Sequence, residues 1–253
     1  MSADASRRMS SPAGGMSDPQ SVLQTLLDDD RAVRDAFTHA LAPELGTLAE
    51  ALVECFARWQ PIHDAATTLS APRTDLMNGL VHGALDDLIV SVKLLVAGKA
   101  AASGNLFRQA IEGIAMAVLC STGGELVLQA RPKQGDVRGC YWARVMAGDD
   151  RLVEGQRALQ QLALNAEVLR LPAGWIRWLT EAQKLYSGVS HASLMTISLR
   201  TNFQSPEAIS FGAHFDPDKV YWYRAGLVHR HLMARELAAV MPYLLAAMGQ
   251  AES

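Results

Sequence analysis

The chain has 253 residues, 49% hydrophobic and 19% charged, with a formal net charge of −3; it is long enough to bury a sizeable core and has a globular composition. The slightly acidic balance excludes a global basic field of the kind that binds nucleic acid without specificity, leaving at most local basic patches. Apolar runs such as Ile114–Cys120 fall well short of the roughly 20 residues of a membrane span. Cys55, Cys120 and Cys140 form no C-x-x-C pair, so neither a zinc site nor a disulfide framework is signalled and a reducing cytoplasm is expected. Basic residues are mostly arginine, with lysine at 93, 99, 133, 184 and 219; together with heavy alanine use this reads as a high-GC bacterial genome.

Residues 1–17 are rich in Ser, Ala and Gly and lack a hydrophobic signal-peptide core, which predicts a disordered leader. Met1, Met9 and Met16 are all candidate start sites. From residue 18 to 248 the pattern predicts a single domain. Asp18-Pro19 starts a helix, and Val22, Leu23, Leu26 and Leu27 give it one apolar face. A second helix opens near Pro43 and is expected to stop at Pro61. A third starts at Pro72–Asp75 and closes at Gly98, forming an antiparallel hairpin with the helix that carries Arg108. Further helices are predicted at Tyr141–Met146, about 153–169 and Trp175–Tyr186, where Gly188 suits a left-handed helix end. Met195, Ile197 and Leu199 alternate with polar residues, which predicts a small β-hairpin near 195–211 pairing with Ala208–Phe211. Asp216-Pro217 begins a long last helix, with a kink expected at Pro242. The expected fold is therefore mainly all-α, a multi-helix bundle with one small β-hairpin.

Two segments carry chemistry. In Asn105–Cys120, Arg108 and Glu112 lie one turn apart on an otherwise apolar helix. Buried charges of this kind must be answered. They are either a structural ion pair fixing helix register or the floor of a polar pocket in which Arg108 holds an anion such as phosphate. In Tyr186–Ser193, His191 follows a Ser-Gly break; it is either a proton-transfer group or a structural hydrogen-bonder. These segments resemble the "A-x-x-L-x-R-x-x-x-E" helix and the later Tyr-x3-Ser/His pattern of poorly characterised bacterial helical proteins near the HEPN (higher eukaryotes and prokaryotes nucleotide-binding) superfamily. The matching residues are Leu106, Arg108 and Glu112, then Tyr186, Ser190 and His191, within a likeness spanning 76–237. The resemblance implies a helical bundle, often a dimer, and in some members a metal-independent ribonuclease of toxin or phage-defence systems acting through Arg-x4-6-His.

Four arginine–histidine pairs satisfy that spacing, close to what composition gives by chance: Arg34–His39, Arg58–His63, Arg224–His229 and Arg224–His231. His82 and Asp86 have a chelating i, i+4 spacing but no further Glu-x-x-His partners, so a solvated face is expected. Tyr221-Trp-Tyr-Arg224 is either a base-stacking strip or a packing surface. The leading expectation is a non-catalytic HEPN-like binding or interaction module, homodimeric, with a polar pocket built on Arg108, Glu112 and His191, an RNA or nucleotide as its candidate ligand, and no cofactor or metal. The first alternative is a metal-independent endoribonuclease using Arg108 or Arg224 on phosphate and His191 or His229 as acid/base; the second is a purely structural or oligomerisation protein.

Overall fold

A computed structural model describes residues 18–148, 150–203 and 212–249. The predicted leader and the proposed strand at Ala208–Phe211 therefore lie outside the described residues. Helix α1 (Pro19–Leu27) is capped by Asp18, whose carboxylate accepts the N–H groups of Gln20 and Ser21. After α2 (Arg31–Ala40) come α3 (Ala42–Leu69), α4 (Pro72–Val96) and α5 (Ala100–Leu119). The strands β1 (Glu125–Gln129) and β2 (Val137–Cys140) precede α6 (Tyr141–Ala147) and α7 (Ala158–Leu164). The last helices are α8 (Ala173–Ser190), α9 (Leu194–Arg200) and α10 (Val220–Met248).

The core lies where α4, α5, α3 and α10 meet, filled by side chains such as Met77, Leu88, Ile111, Ile114 and Leu237. The hairpin of α4 and α5 turns at Gly98, whose φ of +72° no other residue adopts easily. A side chain there would also strike the His214 backbone at 2.7 Å. On its other side α5 carries α8, admitted by Gly104: a Cβ at that position would lie 2.4 Å from Val189 Cγ2.

Helix α3 does not stop at Pro61 but runs on to Leu69. Pro61 is exposed, so the carbonyl its ring leaves without a partner can face water, while Ile62 and Ala66 beyond it are buried and reward continuation. Likewise α10 passes through the exposed Pro242, with Met241 and Leu244 in the core.

The small antiparallel sheet among the described residues is β1–β2, at 125–140. Residues 194–200 form α9 instead, started by a capping box in which Ser193 Oγ accepts from Thr196 N–H and Thr196 Oγ1 accepts from Ser193 N–H. Of the alternating apolar residues, Met195 and Ile197 are exposed and Leu199 is half-buried, while the buried residue of α9 is the polar Thr196. Strand β1 shows no alternation at all: Leu126, Val127 and Leu128 are each buried. Its outer edge is closed by Asn165 after α7, whose amide accepts Val127 N–H at 2.8 Å and donates to Val127 O at 2.9 Å, imitating a third strand. Gly188 also departs from expectation, since it lies inside α8, which ends at Ser190.

Candidate functional site

Arg108 and Glu112 form a half-buried ion pair on α5, with Nε donating to Oε1 at 2.8 Å. Gln183 of α8 donates to the same carboxylate oxygen at 2.8 Å and to Gln156 O at 3.4 Å. The pair thus ties α5 to α8 and to the 3-10 turn Gly155–Arg157. Side-chain exposures of 16% and 14% leave both groups some contact with water. His191 is exposed just beyond the end of α8 and joins none of these bonds. A shallow depression of about 260 Å³ lies elsewhere, lined by Val145, Gly148, Asp150, Arg151, Val153 and Glu154.

A deeply buried polar cluster centres on Arg230 of α10, 2% exposed. Its Nε donates to Ser91 Oγ at 3.0 Å, Nη1 to Gly226 O at 2.8 Å, and Nη2 to Ser103 Oγ at 2.6 Å and Ser103 O at 3.2 Å. The guanidinium also lies 4.8 Å from the Phe107 ring centroid. Among the described residues no carboxylate pairs with it. Burial pulls Arg230 below the ordinary guanidinium value, opposed by the nearby phenol of Tyr186.

Tyr186 stands edge-on to Phe107 with ring centroids 4.6 Å apart, and its hydroxyl lies 3.0 Å from His229 Nδ1. Burial lowers the His229 pKa and the nearby Arg230 charge lowers it further, which keeps that ring neutral. Burial raises Tyr186, with Arg230 pulling the other way.

A second buried charged group fastens α9 to the start of α10. Lys219 donates to Thr201 O, lies 3.4 Å from Asp216 Oδ2 and sits over the Phe203 ring. Burial alone would raise Asp216, but the N–H groups of Phe203 and Asp218 and the Lys219 ammonium outweigh it and hold the carboxyl below its usual range.

The candidate arginine–histidine pairs are drawn to different partners. Arg224 pairs with Glu44 of α3 at 2.9 Å and reaches Ala40 O, while His229 faces Tyr186 of α8. His231 has a buried, unpartnered Nδ1. Arg58 pairs with Glu54, and His63 meets Asn78. Arg34 and His39 are both exposed on α2, as are His82 and Asp86 on α4. Among the described residues no group of three or more His, Cys, Asp and Glu is placed to hold a metal ion. Nor, among the described residues, is any helix long and apolar enough to cross a membrane.

The chain matches no protein-family model, no curated protein and no solved structure. Spacing to histidine singled out Arg224 and missed Arg230, yet the sequence held a signal for it. Tyr223, Leu227, Arg230, Ala234, Leu237 and Met241 form one helical stripe, and all are buried. An arginine inside such a stripe is conspicuous for the same reason as Arg108.

Proposed function

We propose that this chain is a non-catalytic, HEPN-like helical interaction protein of a reducing cytoplasm, homodimeric through an apolar end of its bundle. The observation that carries this reading is the exposure of large apolar side chains where α8 ends, α9 turns and α10 begins. Leu194 is 83% exposed, Tyr221 77%, Ile197 60% and Trp222 59%. A contiguous patch of exposed apolar side chains marks a contact surface, and these residues are its candidates. Leu185 and Val228 are also exposed, and each directly precedes a member of the Tyr186–His229 hydrogen bond. The buried polar residues support the same reading: Glu112 is answered by Arg108 and Gln183, and Arg230 by serines and carbonyls. Their role in it is to order the helices beneath the contact surface.

The test is sedimentation velocity of the wild-type protein and of Trp222→Asp over a concentration series. The wild type is expected to dimerise, and the variant to be folded by circular dichroism but monomeric. A wild type that stays monomeric throughout overturns the reading.

A further inference from the structure

We infer that the outward face of α10 is the dimer seam, and that the same face of a second copy covers it in antiparallel register about Val228. This rests on the reading above and names the helix and the register by which the copies meet. Helix α10 is apolar on two opposite sides. Tyr223, Leu227, Ala234 and Leu237 turn into the core. Two residues out of step with them, about 200° round the helix, Tyr221, Ala225, Val228, Leu232, Arg235 and Ala239 repeat at steps of 4, 3, 4, 3 and 4. Tyr221 is 77% and Val228 48% exposed. Arg235 and Ala239 are exposed as well, and Ala225 and Leu232 are half-buried. Steps alternating between 3 and 4 are the spacing of a seam between two helices, and an apolar stripe on a second side of a helix calls for a second covering.

The stripe is one surface, because residues three and four apart adjoin along a helix. Arg224 borders it on one side, held to α3 by Glu44 at 2.9 Å, and His229 on the other, 3.0 Å from Tyr186 of α8. Trp222, 59% exposed, widens its first turn.

What fits this stripe is its own reverse. With a two-fold axis at Val228, that residue meets its own copy, the small Ala225 faces the partner's larger Leu232, and Tyr221 faces the partner's Arg235. Large against small lets two helix surfaces interlock, a guanidinium over a tyrosine ring adds a cation–π contact, and the symmetry makes each contact twice. Charge agrees with this register. Between Asp218 and Glu236, Lys219 is paired with Asp216, Arg224 with Glu44, and Arg230 lies inside the bundle. Asp218, one turn before Tyr221, and Arg235 are exposed and have no ion-pair partner among the described residues; Glu236 is half-buried and off the stripe. The register about Val228 brings Arg235 to the partner's Tyr221 with Asp218 as its acidic neighbour. A parallel register, or one centred near Arg235, sets the two Arg235 charges against each other instead. The overlap from Tyr221 to Arg235 is about 21 Å long, a short seam that makes the dimer one of the weak, exchanging class.

The test places single cysteines in a Cys140→Ser background, where the two remaining native thiols are buried. Under mild oxidation with copper–phenanthroline, Val228→Cys should give a disulfide-linked dimer, because the axis brings its two copies together. Ala239→Cys should not, because this register holds its two copies about 33 Å apart along the helix. In sedimentation velocity, Val228→Asp should weaken the dimer Kd about ten-fold or more while keeping wild-type circular dichroism, since the position is exposed in the single chain. Linkage at both cysteines, or at Ala239→Cys alone, overturns the register. A wild type that dimerises without linkage at Val228→Cys, or a folded Val228→Asp that dimerises like wild type, overturns the seam. Each of these leaves the apolar-end reading in place. If Val228→Asp loses its helices, the cysteine comparison, which adds no charge, decides alone. A monomeric wild type overturns both readings.

Discussion

Replacing Arg230 by methionine tests what the buried guanidinium contributes. The substitution removes four hydrogen bonds, to Ser91 Oγ, Ser103 Oγ, Ser103 O and Gly226 O. Hydrogen bonds involving a charged group each contribute about 1.5–3 kcal/mol. It also removes the desolvation cost of a lone buried cation, several kcal/mol even after relaxation, with no carboxylate partner to offset it. What remains is well satisfied. Ser91 still donates to Leu88 O at 2.7 Å and Ser103 to Ser91 O at 2.5 Å, so no donor hydrogen is stranded. Methionine fills similar length, and its sulfur replaces the cation against Phe107. The two large terms nearly cancel, and Arg230→Met is expected to change stability by no more than about 1.5 kcal/mol, with stabilisation as allowed an outcome as loss. Arg230→Ala relieves the same charge but leaves a cavity, and should lose about 3–5 kcal/mol. Urea unfolding followed by circular dichroism at one fixed protein concentration measures both. A loss above about 3 kcal/mol in Arg230→Met would refute the reasoning, because the hydrogen bonds would then outweigh the desolvation they answer.

Three further outcomes are expected. Arg108→Ala should cost about 1–3 kcal/mol, below the figure for a fully buried pair, because Glu112 keeps its bond from Gln183 and some water; a fully unfolded variant in the same urea assay contradicts this. His214 and His229 both have pKa values lowered by burial from 6.5, so each contributes stability that is fully present above that value and is lost as pH falls below it. Stability should therefore drop as pH falls below about 6.5, and less steeply in His229→Gln; an equal slope in the variant shows that His229 does not titrate as described. Purified protein incubated with a mixed RNA pool in EDTA should leave the RNA intact. Cleavage that disappears in a folded His191→Ala variant would establish the ribonuclease alternative instead.

Local signals made most of the helices legible. Asp18-Pro19 and Pro72 mark starts, Gly98 marks a turn that only glycine fits, and the apolar stripes of α4, α5 and α10 show which faces enter the core. The errors have physical causes that a local window does not contain. Pro61 ends a helix only where the carbonyl it leaves unpaired has no access to water. The alternation at 195–199 suggests a strand only if one face is buried, and a capping box decided otherwise. Strand β1 is covered on both faces and closed at one edge by Asn165, some forty residues away, so it carries no period-two signature. The Arg108–Glu112 pair was readable from its spacing, but Gln183 as its second partner was not. The Arg230 cluster draws on α4, α5, α8 and α10 at once; only the arginine inside an apolar stripe betrayed it.

The amide of Asn165 has a bearing on how this chain fails as well as on how it folds. Leu126-Val127-Leu128 is apolar and uncharged, and such a segment with a bare backbone edge recruits further strands. In the native protein that edge is occupied by a side chain and not by another strand, and Gln161 covers the next carbonyl, Leu128 O, at 3.0 Å. Loosening the single turn at the end of α7 is therefore enough to uncover a template for intermolecular β-addition. Asn165→Ala should aggregate at temperatures where the remaining helices are still formed.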